Sequence, residues 1–297
     1  MTNDKLFVLT FVLADQDKNN FNNLIKVIKK YLLSIDIKLI KTSLLKNNKA
    51  SDFFFSDELK NFKLKNLKKR LETIKVDFCF QKSSQRKKKI FITDMDGTII
   101  ENETLNDIAN FLGKGEQVKE ITDLGLKGRL DFSTSLENRV HLLKGLRLSS
   151  LEEAKRIVTF MKGAKKLFRV LKENNITTVL VSGGFKPITT YVKNYLKIDY
   201  EYSNSFGVIG DLFDGTTTGP IINANYKEKI VNKLIKELDI KKNQIIGMGD
   251  AANDMNMLLS VGLPIAFKAQ EIVKANFDNQ INNTDLTTVL YFLGIKN

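Results

Sequence analysis

Hydrophobic and polar positions along this chain follow two organisations, and the change falls near residue 90. In the first, Leu6–Leu13 is apolar and β-prone, and Phe21–Leu33 carries Phe21, Leu24, Ile25, Val27, Ile28 and Leu32 at helical spacing. Ile35–Leu45 alternates in part, as a half-buried strand does. Leu59–Ile74 sets Leu64, Leu67, Leu71 and Ile74 three and four residues apart, and Val76–Phe80 reads as another strand. This β-α-β…α-β order predicts a small α+β domain over residues 1–85. Phe53-Phe54-Phe55 reads as a strand or loop buried against a helix rather than as an exposed patch.

Gln81–Lys89 is polar and basic, ends in four consecutive cations from Arg86 to Lys89, and reads as a linker. From Ile90 the pattern becomes short apolar strands alternating with helices. The strands are Ile90–Thr93, Val179–Val181, Ile245–Met248 and Pro264–Phe267; the helices are Gly163–Glu173, Lys186–Leu196, Lys227–Leu238 and Asp254–Leu259. The alternation predicts an α/β domain over residues 86–297, a Rossmann-like parallel sheet with helices on both faces. In such sheets ligands bind beyond the carboxyl ends of the strands. Residues 101–162 are too long for a simple crossover. Their helical stretches, Leu105–Phe111, Gly115–Leu124 and Ser133–Leu143, predict an inserted helical cap.

Length and composition agree with two globular domains. No apolar run approaches the roughly 20 residues a transmembrane helix needs, which points away from a membrane. A single cysteine, Cys79, excludes an internal disulfide and a cysteine-based zinc cluster; it reads as a small buried hydrophobe and suits a reducing cytoplasm. The net charge of +13 would suggest a nucleic-acid partner, but it is unevenly placed. Residues 1–89 hold 21 Lys/Arg and 9 Asp/Glu, a net of +12, leaving 26 and 25 for the rest. The excess is nearly all lysine in a Lys-, Asn- and Ile-heavy chain, which AT-rich codons produce without any function, so no nucleic-acid partner is expected.

The chemistry lies in Asp94-Met95-Asp96-Gly97-Thr98, placed directly after a strand. Two carboxylates two residues apart at a strand end can face one small site. Ser182 follows the second strand, Lys227 opens a helix, and Gly249-Asp250 with Asn253-Asp254 follows the third. Together these resemble the haloacid dehalogenase superfamily over about residues 88–290. That resemblance implies Mg²⁺ held by Asp94, Asp250 and the main-chain carbonyl of Asp96, since magnesium prefers hard oxygen ligands. It implies Asp94 as nucleophile through an aspartyl-phosphate, Asp96 as general acid/base, and Lys227, Ser182, Thr98 and the Gly183 N–H around the phosphate.

Further stretches resemble the phosphoserine phosphatases of that superfamily. They are Glu101-Asn-Glu103, Gly128-Arg-Leu-Asp-Phe132-Ser-Thr-Ser-Leu136, Arg139-Val140, Ser182-Gly-Gly-Phe185 and Asn223-Ala-Asn-Tyr-Lys227. The resemblance implies hydrolysis of O-phospho-L-serine, the final step of L-serine biosynthesis, or of another small phosphomonoester. Glu103 would meet the substrate's ammonium, Arg139 its carboxylate, and Phe132 would pack over it. Ser182, Gly183, Lys227 and Asn253 would complete the substrate contacts, with Thr98 and Asp254 in support. Residues 1–85 resemble the ACT-like regulatory domains that precede such phosphatases in size, position and element order. A regulatory or dimerising role, giving a homodimer, would follow. Two departures stand out: Gly97, where serine is frequent, suggests a looser phosphate loop, and Ala251, where glycine is frequent, disfavours positive φ. His141, the only histidine, sits in the cap without a motif and reads as structural or solvated.

Overall fold

The computed structural model describes residues 6–56, 61–126 and 129–296; Leu59 and Gly128, named above, lie outside the described residues. Among the described residues, eleven strands form one sheet. They are β1 (Phe7–Leu13), β2 (Leu39–Lys46), β3 (Ala50–Phe55), β4 (Val76–Lys82), β5 (Ile90–Thr93), β6 (Thr177–Phe185), β7 (Tyr200–Ile209), β8 (Leu212–Thr218), β9 (Ile245–Gly249), β10 (Leu263–Phe267) and β11 (Gln280–Ile281). Their spatial order is β2-β3-β1-β4-β11-β10-β9-β5-β6-β7-β8. From β11 to β7 the strands are parallel, as expected of strands joined by helical crossovers. Between them run α7 (Ala164–Glu173), α8 (Lys186–Leu196), α9 (Ala224–Glu237), α10 (Met255–Leu259) and α11 (Glu271–Asn276).

The N-terminal unit adds α1 (Phe21–Ser34) and α2 (Asn61–Arg70) to β1–β4 in the β-α-β-β-α-β order of ferredoxin-like units. Its antiparallel strands extend the main sheet, because β4 meets β11 at Phe78 and Gln280. One face, with Leu9, Phe11, Leu13, Phe53 and Phe55, packs against Leu24 and Ile28 of α1 and Leu64 of α2. The opposite face contributes Val12, Ala50 and Cys79 to the main core, beside Leu290 and Phe292 of α12 (Thr288–Phe292).

The stretch 81–89 is not a solvated linker. Arg86 makes a two-pronged pair with Asp52 at 2.6 and 2.9 Å and donates to the Tyr291 and Phe292 carbonyls at 2.7 and 3.0 Å. It thereby ties the N-terminal sheet to the end of α12. Lys88 is buried too and donates to the Asn243 carbonyl at 2.7 Å. These partners lie far away in sequence, so the charge run alone could not reveal them.

Between β5 and β6 the cap consists of α3 (Thr104–Phe111), α4 (Gly115–Leu126), α5 (Phe132–His141) and α6 (Ser150–Arg156). Its two stems meet where Ile100 pairs with Phe160. On its other side it rests on the β7–β8 hairpin, whose Phe213 exchanges main-chain hydrogen bonds with Gly145 and Leu146 at 2.8 and 2.9 Å.

Candidate active site

The chain runs from β5 to β6 on one side and returns to β9 on the other, which makes the carboxyl ends of β5 and β9 a topological switch point. Register places Thr93 beside Met248, and the Asp94 N–H donates to the Met248 carbonyl at 3.0 Å. Asp94 and Asp250, far apart in sequence, therefore emerge together. Oxygens of Asp94, Asp250 and Asp254 lie within 4.8 Å of one another.

Lys227 is fully buried on the first turn of α9, whose N-cap is the Asn223 side chain. Its ammonium reaches Asp94 Oδ1 at 2.5 Å and Asp254 Oδ1 at 2.7 Å. Burial alone would push this amine down, but Asp254 and Asp94 outweigh it and hold it above the usual lysine range. Asp254 Oδ2 accepts the N–H groups of Asp250 and Ala251 at 3.0 and 3.1 Å, so this carboxylate fixes the loop that carries Asp250. Burial drives the Asp94 carboxyl upward, helped by the neighbouring acids and opposed by Lys227. Burial and then Asp254 push Asp250 up to about 7. Three carboxylates against one ammonium leave the cluster two positive charges short. An all-oxygen donor set lacking two positive charges fits a hard divalent cation.

The Thr98 hydroxyl donates to Asp250 Oδ1 at 2.7 Å, which supports that carboxylate. Gly97 has φ +66°, and a β-carbon there would stand 2.7 Å from Asp250 Oδ2. The glycine thus lets the Asp250 carboxylate come close instead of loosening the loop. Ala251 has φ −120°, an extended conformation open to any residue, so it demands no glycine.

Asp96 accepts from the Thr104 N–H and hydroxyl at 3.1 and 3.3 Å. Burial, then the Glu103 charge, pushes its carboxyl up to about 7. Asp94, Asp96, Glu103, Phe132, Arg139, Gly183, Asp250 and Asn253 line a cavity of about 90 Å³ between sheet edge and cap. Burial raises Glu103 and lowers Arg139, and each opposes the shift of the other, yet no direct ion pair joins them. Phe132 roofs the floor glycine so closely that a β-carbon at Gly183 would come within 2.8 Å of its ring. Ser182 is fully buried, and its Oγ accepts the Gly184 N–H at 2.8 Å. Asn253 Oδ1 is buried without a hydrogen-bond partner among the described residues.

The expected residues therefore converge, with Thr98 and Asp254 acting through Asp250 and Lys227. Sequence reasoning missed Leu105, Asn106 and Leu136 in the wall, which periodicity shows only as ordinary helix positions. His141 is exposed and outside the cavity. A larger, shallower groove of about 560 Å³, lined by Lys155, Lys186, Tyr191 and Tyr195, lies apart from the carboxylates.

Comparison with known proteins agrees with this geometry. A family profile for haloacid dehalogenase-like hydrolases matches residues 91–259. A probable phosphoserine phosphatase of Schizosaccharomyces pombe is 39% identical over 70% of this chain and 71% of its own. The phosphoserine phosphatase of Methanocaldococcus jannaschii is 35% identical over 70% of this chain and 99% of its own. A haloacid dehalogenase-family hydrolase of Salmonella enterica serovar Typhi superposes with a TM-score of 0.85 at 26% identity, covering 97% of this chain and 98% of its own. With its carboxylate cluster at the switch point and these relatives, the chain belongs to the haloacid dehalogenase-like hydrolases, in the phosphoserine phosphatase family.

Proposed function

We propose that the enzyme hydrolyses O-phospho-L-serine to L-serine and phosphate, the closing step of L-serine synthesis by the phosphorylated route. One observation carries the choice of substrate: Glu103 and Arg139 line the same small cavity as Asp94 without neutralising each other directly. A zwitterionic amino-acid end needs one anion and one cation there. Glu103 takes the ammonium, Arg139 the carboxylate, and Phe132 excludes water.

Asp94 is the nucleophile. Lys227 holds its Oδ1, and Oδ2 has no donor among the described residues. That oxygen forms the bond to phosphorus as the bond to the serine oxygen breaks, and Asp96 gives the departing oxygen its proton. Asp96, now a carboxylate, takes a proton from water, which attacks phosphorus and restores Asp94. Ser182, the Gly183 N–H, Lys227 and Asn253 hold the phosphate. Asp94, Asp250 and the Asp96 main-chain carbonyl would hold Mg²⁺, which would supply the positive charge that a carboxylate needs to approach a phosphate dianion. Thr98 and Asp254 keep its carboxylates aimed.

For residues 1–85 we propose an ACT-like unit with a regulatory or dimerising role. Its outer strand β2 ends the sheet and exposes Ile40 and Leu44, the margin a second copy would use. A cytoplasmic location suits the lone free thiol of Cys79.

Turnover of phosphoserine, phosphorylated sugars and an aryl phosphate, with Mg²⁺, with Mn²⁺ and with EDTA, tests the reading. Arg139→Glu should lower kcat/KM for phosphoserine about 100-fold and leave the aryl phosphate within about threefold. Equal losses on both substrates would assign the cavity to another phosphomonoester.

A further inference from the structure

Asn204 belongs to no expected motif. It lies on β7, 2% exposed, with both ends of its side chain engaged. Its Nδ2 donates to the Gly183 carbonyl at 2.8 Å, and its Oδ1 accepts the Ile222 N–H at 2.8 Å.

The first bond falls on the peptide between Gly183 and Gly184. The N–H of that peptide donates to Ser182 Oγ at 2.8 Å. Asn204 and Ser182 therefore grip one peptide plane from its two sides. Two glycines in succession would otherwise leave that plane free to rotate. The second bond holds Ile222, the residue before Asn223, which N-caps the helix carrying Lys227.

From this juxtaposition we propose that Asn204 is the positioning residue that fixes the donor direction of Ser182 and aligns it with Lys227. A hydroxyl oxygen that already accepts an N–H directs its own proton elsewhere, and the cavity floored by Gly183 and Gly184 lies beside Ser182. With Asn204 in place, Ser182 meets an anion as a preset donor. Without it, the Gly183–Gly184 peptide turns, the hydroxyl regains its freedom, and the phosphate site loses a preorganised contact. Asn204 touches no reacting atom and acts on a bound phosphate only through Ser182.

This inference rests on Ser182 as a phosphate-holding group, so the experiment separates the two claims. Inhibition by inorganic phosphate of aryl phosphate turnover is measured for the full-length enzyme, Ser182→Ala, Asn204→Ala and the double variant. Each single variant should weaken phosphate binding about 10-fold, the worth of one well-placed bond to a charged group. The double variant should match Ser182→Ala within about threefold, because both act on one contact. Independent multiplication of the two effects overturns the role of Asn204, as does an Asn204→Ala that binds phosphate normally. A Ser182→Ala that binds phosphate normally instead removes the reading of Ser182. If Asn204→Ala does not accumulate folded, Asn204→Asp replaces it. That variant keeps an acceptor for Ile222 and sets an oxygen against the Gly183 carbonyl, so the grip on that peptide is lost and the same outcomes are expected.

Discussion

Replacing Asp254 by asparagine changes one oxygen to an amide nitrogen, and the site has no place for the new donor. Oδ1 faces the Lys227 ammonium at 2.7 Å, and Oδ2 faces two loop N–H groups at 3.0 and 3.1 Å. In either orientation the amide sets a donor against a donor, in a side chain with no exposed surface. Breaking a buried ion pair by removing one partner costs about 3–5 kcal/mol. Lys227 retains Asp94, so the lower end applies, about 3 kcal/mol. Unfolding entropy near 2 cal/mol/K per residue gives about 0.6 kcal/mol/K for a chain this long, hence a fall in Tm of about 5 °C. Differential scanning calorimetry in EDTA is the assay, because this cost arises from Lys227 and the loop and needs no metal. Turnover should also drop, by about 100-fold, as Lys227 swings wholly onto Asp94 and the Asp250 loop loosens. A Tm unchanged in EDTA but lowered in Mg²⁺ would refute the reasoning and make Asp254 a direct metal ligand.

Burial lowers the Lys88 ammonium to about 8, while the unfolded chain keeps it near 10.4. The unfolded state then binds the extra proton between these values, so this residue's contribution to stability rises with pH across that window, by at most about 3 kcal/mol. Urea unfolding at pH 7.5 and 10.5 should show the rise relative to Lys88→Met; parallel curves would count against it. The Cys79 thiol, pushed up to about 12 by burial, should resist a disulfide reagent at pH 8 in the native protein and react once unfolded; rapid native labelling would contradict its packing. Arg86→Lys keeps the charge but loses the planar fork, and should cost about 2–4 kcal/mol by urea unfolding; a loss under 1 kcal/mol would mean the Asp52 pair contributes little.

The carboxylate cluster was legible because its logic is local: a short apolar strand ending in Asp94 and Asp96 marks both the strand and the acids it carries to its end. The central strand Ile90–Thr93 and the helix Lys186–Leu196 fall where the pattern puts them. What stayed hidden depends on distant partners. Ala50–Phe55 is buried at every position, so it lacks the alternation that marks a half-exposed strand, and only its Phe53-Phe54-Phe55 half could be read as buried, as a strand or a loop. The hairpin from Tyr200 to Thr218 mixes polar and apolar residues because one part braces the cap and another meets solvent. Arg86 reads as a solvated cation until Asp52 and the last helix are brought to it. Asn204 gives no signal at all, since a lone asparagine in a strand acquires meaning only from the peptide it grips.

The second face of β1, β3 and β4 waits for α12. Val12, Ala50 and Cys79 share a core with Leu290 and Phe292, so strands the ribosome makes early cannot be fully covered until a helix made much later has emerged. During synthesis those early strands stand with one apolar side bare and Asp52 without its guanidinium until Arg86 arrives. Closure by such remote segments is slow, and a nascent chain stalled before residue 288 would offer its greasy flank to chaperones or to its neighbours.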